Sequence, residues 1–221
     1  MRYALLLPIM AGWMIVPCAF AQDLVVPAPV TTDRTEEVVS ESAPAVGPVT
    51  AYQRLEWFTR SSIGPASLIG GTISAGWGTL VDHPSEYGTR WDGFADRYGM
   101  RMTGIVTGNA MEAGLGAIWG EDPRYARAPA GSSLGKRMGH AVKWTFVAPD
   151  RNGDLRPAYA RYLAITGNNF LSNTWREPSE ADGSHALERT ALGFLGRMAG
   201  NAWDEFWPDA RKKLFHRDSR E

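Results

Sequence analysis

The chain has 221 residues, which is enough for one domain with a substantial core. Its 23 Lys and Arg residues nearly balance its 24 Asp and Glu residues and give a formal net charge of -1. This balance argues against nucleic acid as a partner, since nucleic-acid-binding domains carry a basic patch or a high isoelectric point.

Residues 1–21 are typical of a secretory signal peptide. Arg2 supplies the positive start, residues 4–16 form an apolar run, and residues 19–21 (Ala-Phe-Ala) form a small-x-small cleavage site. We therefore predict an exported protein of the periplasm or outer envelope. A retained membrane anchor is the alternative, which the shortness of the apolar run disfavours.

Cys18 is the only cysteine of the chain. Cleavage after Ala21 would remove it, so the mature protein would have neither a disulfide nor thiol chemistry. Lipidation of Cys18 is a second alternative. The preceding Pro17 disfavours it, because such sites usually have a small residue at that position.

The next segment, residues 22–48, is rich in Pro, Ala and Glu and contains no aromatic residue. A segment of this composition buries too little apolar area to offset the entropy lost on ordering, and we predict a disordered linker. Eight of the nine tryptophans follow it. We therefore predict a single helical domain over residues 49–216 and a frayed tail over residues 217–221.

The first two predicted helices cover residues 50–62 and 65–81. Thr50 is suited to cap the first helix, and Gly64-Pro65 separates the two. The second segment contains no ionisable residue, and small residues recur in it at every fourth position.

A long helix is predicted from Trp91 to Gly120. Residues four apart lie on one face of a helix, and one such row consists of glycines with a single carboxylate, Glu112, in the middle. Each glycine costs a helix about 1 kcal/mol relative to alanine, so this row predicts the close approach of another helix. The glycines of the row are Gly104, Gly108, Gly116 and Gly120.

The remaining predicted helices follow residue 120. Asp122 and Pro123 predict a new helix start, and residues 132–148 fit a helix, although alternation over 142–146 also fits a strand. A helix that begins near Pro157 is expected to be distorted at Gly167, and the last helix is predicted to end at Pro208. The sequence thus predicts an all-α protein, a compact bundle of about five to six helices with glycine-rich close helix crossings.

The last helix has its own glycine-rich face, and Arg197 lies in its middle. We predict that this face crosses the long helix closely and that Arg197 pairs with Glu112, because an unpaired buried charge costs several kcal/mol. The alternative is that Glu112 faces solvent or pairs with a different arginine, such as Arg161 or Arg189.

No residue of the chain is assigned a catalytic role. The four histidines form no HxxxH or HExxH pattern, so no metal is predicted, and no dinucleotide or phosphate-binding fingerprint follows a strand, so no cofactor is predicted. The candidate polar core or ligand site is a set of charged and amide side chains on the predicted helices. Its members are Glu112, Asn109, Arg197, Asn201, Arg161, Asn168, Asn169 and Asn173.

Residues 61–81 and 102–120 are long enough as helices to span ~30 Å, although Gly, Ser and Thr dilute them. Small residues at every fourth position are common where membrane helices pair. We predict a non-enzymatic cell-envelope helical protein, structural or membrane-associated, that packs through small-xxx-small helix faces and contacts a membrane or a second copy. The alternative is an exported hydrolase, or a lipid or small-ligand binder, that uses Glu112, Arg197 and the asparagines at 168, 169 and 173.

Overall fold

The structure is a computed structural model that describes residues 48–215. The predicted signal peptide, the linker up to residue 47 and the tail lie outside the described residues. Between residues 48 and 215 the chain is mostly helical, as predicted, and forms six α-helices. These are α1 (Ala51–Ile63), α2 (Pro65–Leu80), α3 (Trp91–Trp119), α4 (Leu134–Phe146), α5 (Tyr159–Leu171) and α6 (Gly183–Phe215).

One short hairpin interrupts the helices. Strand β1 (Val147–Pro149) follows α4 directly and pairs antiparallel with β2 (Leu155–Pro157). The side chain of Asp150 accepts hydrogen bonds from the backbone N–H groups of Asn152 and Asp154 and closes the turn. The segment that also fitted a strand, residues 142–146, is helical.

Several helix ends follow from local chemistry. Thr50 caps α1 in a capping box with Gln53, which confirms the predicted start. Gly64 ends α1, and Pro65 opens α2 at its first position. Gly120 ends α3 with a left-handed φ of 81°, a conformation that glycine adopts without steric cost.

Three sequence predictions about where helices begin, bend or end are wrong. No helix begins at Pro123, and the next α-helix starts only at Leu134; the Asp122 carboxylate binds the backbone N–H and guanidinium of Arg124 instead. Helix α5 runs through Gly167 to Leu171 as one helix. Helix α6 continues through Pro208 to Phe215, and side chains from other segments bind the backbone in the turn before this proline, as described below.

Helix α5 lies between α3 and α6 and contacts both. Gly108 of α3 contacts the side chain of Asn168, and Gly193 of α6 contacts Ile165. The main neighbour of both glycine-containing faces is therefore α5, which corrects the predicted close crossing of α3 with α6. Helices α1 and α2 cover the remaining sides of α3, and α4 packs on α6.

The glycines of the α3 row have different surroundings. A Cβ atom at Gly104 would meet nothing within 4 Å, whereas one at Gly116 would lie 2.7 Å from Nη1 of Arg54 and 3.1 Å from the Glu121 carbonyl oxygen. At Gly120 a Cβ would overlap the side chain of Arg151. Two members of the row therefore make room for arginine side chains.

This difference predicts opposite effects of alanine within one row. Gly104→Ala should raise the free energy of unfolding by about 1 kcal/mol, because alanine favours the helix and the space is open. Gly116→Ala should lower it by about 1–3 kcal/mol, because Arg54 or Glu121 must move. Urea unfolding followed by circular dichroism measures both, and equal shifts in the two variants would contradict the described packing.

The described residues bury small and polar side chains and expose large apolar ones. The largest fully buried side chains are Glu205, Thr145, Ser62 and Ser172, and Trp144 is the one large apolar side chain among the buried residues. By contrast, Trp91 is 84% exposed and Leu80 is 82% exposed. Most globular proteins show the reverse distribution. Apart from glycines and the prolines Pro84 and Pro123, the other buried apolar residues are all alanines: Ala75, Ala141, Ala148, Ala158, Ala160, Ala164 and Ala186.

Candidate functional site

Three candidate residues of the sequence come together in a buried ion cluster. Glu112 of α3 accepts a hydrogen bond from Nε of Arg161 at 2.9 Å and one from Nη2 of Arg197 at 3.2 Å, both on Oε1. The side chains of Glu112 and Arg161 are 7% and 3% exposed. The predicted pair of Glu112 with Arg197 is thus present, and Arg161, the alternative partner, also binds Glu112. We call these three residues the glutamate–arginine cluster.

Arg161 also closes the end of α4. Its Nη1 donates to the carbonyl oxygens of Trp144 at 2.6 Å and Thr145 at 3.1 Å, which lie in the last turn of that helix. These carbonyls have no partner within their own helix, and a cation there is also favoured by the helix dipole. Glu112 holds the guanidinium in place from the opposite side. The contact joins α3, α4 and α5.

Arg197 extends the cluster to α6 and α1. Its Nη2 donates to the Pro123 carbonyl oxygen at 2.6 Å, and its guanidinium lies 5.5 Å from the centre of the Trp57 ring. Burial, with the like charge of Arg161, lowers the pKa of Arg197 to about 10, while Glu112 opposes the shift. The guanidinium therefore remains charged at neutral pH.

Glu121, which follows α3 directly, stabilises the start of α5. Its Oε2 accepts a hydrogen bond from the backbone N–H of Ala160 at 3.0 Å. A carboxylate at a helix N-terminus satisfies free N–H groups and interacts favourably with the helix dipole. Burial raises the pKa of Glu121, although hydrogen bonds from the backbone N–H groups of Ala160 and Tyr159 oppose the rise. The neighbouring Asp122 instead pairs with Arg124, Nη2 to Oδ2, at 2.8 Å.

No substrate has room beside Glu112. The recess there, lined by Gly116, Glu121, Pro123 and Arg161, is too narrow for a water molecule. A general base must come within hydrogen-bond reach of the proton that it removes. The geometry of the cluster therefore supports a role in holding five helices and the loop after α3 together.

The asparagines of the candidate site do not form one group. Asn168 donates to the Gly104 carbonyl oxygen at 2.9 Å, and Asn169 donates to that of Ile165 at 2.9 Å. Asn173 accepts a hydrogen bond from Arg189 and lies away from Arg161, which is at the other end of α5.

The other two candidate asparagines each join two segments. Asn109 binds the hydroxyl of Ser62 at 3.1 Å and links α3 to α1. Asn201 donates to the Ala141 carbonyl oxygen at 3.0 Å and to the hydroxyl of Thr145 at 3.1 Å, beneath the carbonyl that Arg161 binds. Only Asn201 therefore adjoins the glutamate–arginine cluster.

A second buried ion cluster involves residues that sequence reasoning missed. Glu205 is fully buried and accepts hydrogen bonds from Arg137 Nε at 2.6 Å, the Tyr125 hydroxyl at 2.9 Å and the Ala128 N–H at 3.0 Å. Arg137 also pairs with Asp209 at 2.6 Å. Glu205 and Asp209 are four residues apart, but Asp209 lies past Pro208, where the last helix was predicted to end, so helical spacing did not indicate this cluster.

The backbone near Pro208 belongs to the same cluster. A proline inside a helix lacks the N–H group that would bond to the carbonyl four residues earlier. Arg127 and Arg137 both donate to the carbonyl oxygen of Glu205, at 3.0 Å and 2.8 Å. The carbonyl that Pro208 leaves without its helical donor is that of Asp204, so these bonds hold the turn before the proline at the neighbouring carbonyl.

Among residues 48–215, no group of three or more His, Cys, Asp or Glu side chains is placed to hold a metal ion. No family model, curated protein or solved structure matches the chain. Function is therefore inferred from the geometry of the two ion clusters and from the exposed surface.

Proposed function

We propose that the protein is a non-enzymatic, membrane-associated helical protein of the cell envelope that binds the surface of a membrane through α2. The exposed apolar side of α2 carries the proposal. No ionisable residue occurs from Pro65 to Val81. The large apolar side chains of this segment point outward.

The outward side of α2 is a continuous apolar strip, the α2 face, formed by Leu68, Ile69, Ile73, Trp77, Leu80 and Val81. Ile69, Ile73 and Trp77 follow one another at four-residue intervals, and Ile73 and Trp77 are each 67% exposed. The opposite side is small: Gly71 contacts Tyr98 and Met102 of α3, and Ala75 is buried. The helix thus buries its small residues and exposes its large ones.

A membrane surface is the partner that best suits this face. Contiguous exposed apolar patches mark protein or membrane interaction sites, and tryptophan is enriched at the membrane–water interface. Each large apolar side chain that leaves water contributes about 1.5–3 kcal/mol. None of the helices described here combines the length and the apolarity needed to cross a membrane. We therefore propose binding at the membrane surface.

One sequence prediction and one structural observation further support the proposal. The predicted signal peptide would deliver the protein to the envelope, and the closed recess at Glu112 gives no support to a hydrolase that uses this carboxylate. Glycine-rich close helix crossings remain part of the proposal for contacts between copies. Gly196 and Gly200 of α6 suit this role, because a Cβ at either would meet nothing within 4 Å.

Ile73→Glu tests the proposal. A charge in the middle of the α2 face should reduce binding to vesicles of phosphatidylethanolamine and phosphatidylglycerol by tenfold or more, since burying an unpaired carboxylate costs several kcal/mol. Flotation of the full-length chain with the vesicles measures the bound fraction. The substitution should leave the free energy of unfolding nearly unchanged, because Ile73 is exposed.

Ala95→Glu is the matched control, since it adds the same charge at an exposed position next to Asp96 on α3. It should bind vesicles like the wild type. Equal binding by wild type and Ile73→Glu would contradict the proposal. A wild-type dimer in analytical ultracentrifugation that Ile73→Glu dissociates would also contradict the proposal, because a second copy would then cover the α2 face.

A further inference from the structure

A groove of about 500 Å³ lies between α1 and α3, on a different side of α3 from the glutamate–arginine cluster recess. Its volume is within the range of small-molecule sites, about 300–1,000 Å³. The two helices run antiparallel, because Arg54 reaches Glu121 after the end of α3 while Ser62 binds Asn109 in its middle. The groove therefore has one end at Arg54 and the other at Phe58 and Ala110.

The groove wall is apolar except at one end. Most of its lining consists of small or apolar side chains from both helices and from the residues before α1. From Ala110 to Gly120, which both line the groove, the chain advances about 15 Å, at 1.5 Å per residue. The apolar lining residues are Pro48, Val49, Ala51, Leu55, Phe58, Ala110, Ala113, Gly114 and Ala117.

Arg54 and Arg151 supply the polar end. Arg54 donates to the Glu121 carbonyl oxygen at 2.9 Å, and Arg151 donates to that of Ile118 at 3.1 Å. Neither forms an ion pair with any carboxylate among residues 48–215. Nη1 of Arg54 has no hydrogen-bond partner among these residues, but it is buried against Gly116 on the recess side of α3, so Arg54 offers the groove its positive charge rather than this donor.

Two glycines of the α3 row lie against these arginines. Gly116 leaves room for the guanidinium of Arg54, and Gly120 leaves room for the side chain of Arg151. The two glycines are one turn apart, so both cations lie at the same end of the groove. An apolar channel with two cations at one end complements a molecule with an apolar tail and an anionic head.

We propose that this groove binds a free fatty acid, with its carboxylate at Arg54 and Arg151 and its chain between α1 and α3. The exposed guanidinium of Arg151 supplies accessible donors for the carboxylate. Charge-assisted hydrogen bonds of this type are roughly twice as strong as neutral ones. The apolar chain displaces water from the alanine and glycine side of α3. This site is independent of the α2 face.

Titration calorimetry of the full-length chain with dodecanoate, below its micelle concentration, tests the proposal. Gly114→Leu should weaken binding by tenfold or more, because the new side chain fills the groove. The matched control is Gly104→Leu on the same helix, which lies outside the groove lining. A Cβ at either glycine meets nothing within 4 Å, and leucine favours a helix, so both variants should fold.

Arg151→Gln tests the polar end. It should weaken dodecanoate binding about tenfold and leave binding of dodecanol, which has the same chain without the charge, unchanged. A wild-type protein that binds no dodecanoate would overturn the proposal. That result is expected if the chain's own N-terminal segment, and not a fatty acid, fills the groove. Equal weakening by Gly114→Leu and Gly104→Leu, or no effect of Arg151→Gln on dodecanoate, would also overturn it.

Discussion

Replacing Glu112 with alanine is expected to lower the free energy of unfolding by about 3–5 kcal/mol. The substitution leaves the charges of Arg161 and Arg197 buried without a carboxylate. It also leaves a cavity in the middle of α3, next to the loop carbonyl of Pro123 that Arg197 binds. Urea unfolding of the full-length chain, followed by tryptophan fluorescence, measures the loss.

Double-mutant cycles separate the two arginines. Arg161 binds Glu112 at 2.9 Å and also binds the last turn of α4, so Arg161→Ala should destabilise more than Arg197→Ala. The coupling energy of Glu112 with Arg161 should also exceed that with Arg197. Asp96→Ala, an exposed acid on the same helix, is the control and should change stability by less than about 0.5 kcal/mol. Purely additive losses in both cycles would show that the described ion pairs do not stabilise the fold.

The sequence predicted those parts of the fold that depend on neighbouring residues. Thr50 and Gln53 define the start of α1, and Gly120 ends α3, because caps depend on groups within one turn. The loop after α3 and the passage of α6 through Pro208 were not predictable in this way. Both depend on contacts with distant residues, such as those of Arg137 with Glu205.

The candidate site shows the same division. A single carboxylate in a glycine row indicated that Glu112 needs a cationic partner. The sequence favoured Arg197 over Arg161 because a glycine-rich face surrounds Arg197. The structure instead places α5 against α3, so Arg161 comes closer. Spacing along a helix indicates which residues share its face, but the helix that packs there is decided by tertiary contacts.

The orientation of α2 lay beyond the sequence for a related reason. A helix with one charged face reveals which side meets water. Residues 65–81 have no charged face, so their composition fitted a buried helix or a membrane helix equally well. The buried side is set by shape, since Gly71 and Ala75 allow close contact with Tyr98 and Met102. This choice leaves Ile73 and Trp77 exposed.

Glu205→Ala is expected to destabilise the protein by about 3–5 kcal/mol. Glu205 is fully buried, and its loss removes the acceptor of the Tyr125 hydroxyl, the Ala128 N–H and Arg137. Glu188→Ala removes an exposed acid from the same helix and should change stability by less than about 0.5 kcal/mol. Urea unfolding at neutral pH compares the two, and similar small losses would contradict the buried cluster.

The acid sensitivity of the protein gives an independent readout of the same cluster. Burial alone would raise the pKa of Glu205, but hydrogen bonds from Arg137, Ala128 and Tyr125 hold it below its usual value of 4.5. Arg137 and Arg127 likewise lower the pKa of Asp209. A carboxyl group whose pKa is lower in the folded state stabilises the protein fully above its unfolded-state pKa. That contribution is lost as the pH falls through the folded-state pKa.

Glu205→Gln has no titratable group at position 205, so the stability of this variant contains no pH-dependent contribution from that position. The difference in unfolding free energy between wild type and Glu205→Gln should therefore be largest near about pH 7 and shrink towards about pH 3. Glu188→Gln, at an exposed position on α6, should keep the pH profile of the wild type. A difference between wild type and Glu205→Gln that stays constant over this range would show that Glu205 is held without its charge. Arg137 would then lack the counter-ion that the structure gives it. The pH profile thus tests whether the ion pair exists, and Glu205→Ala tests how much it contributes to stability.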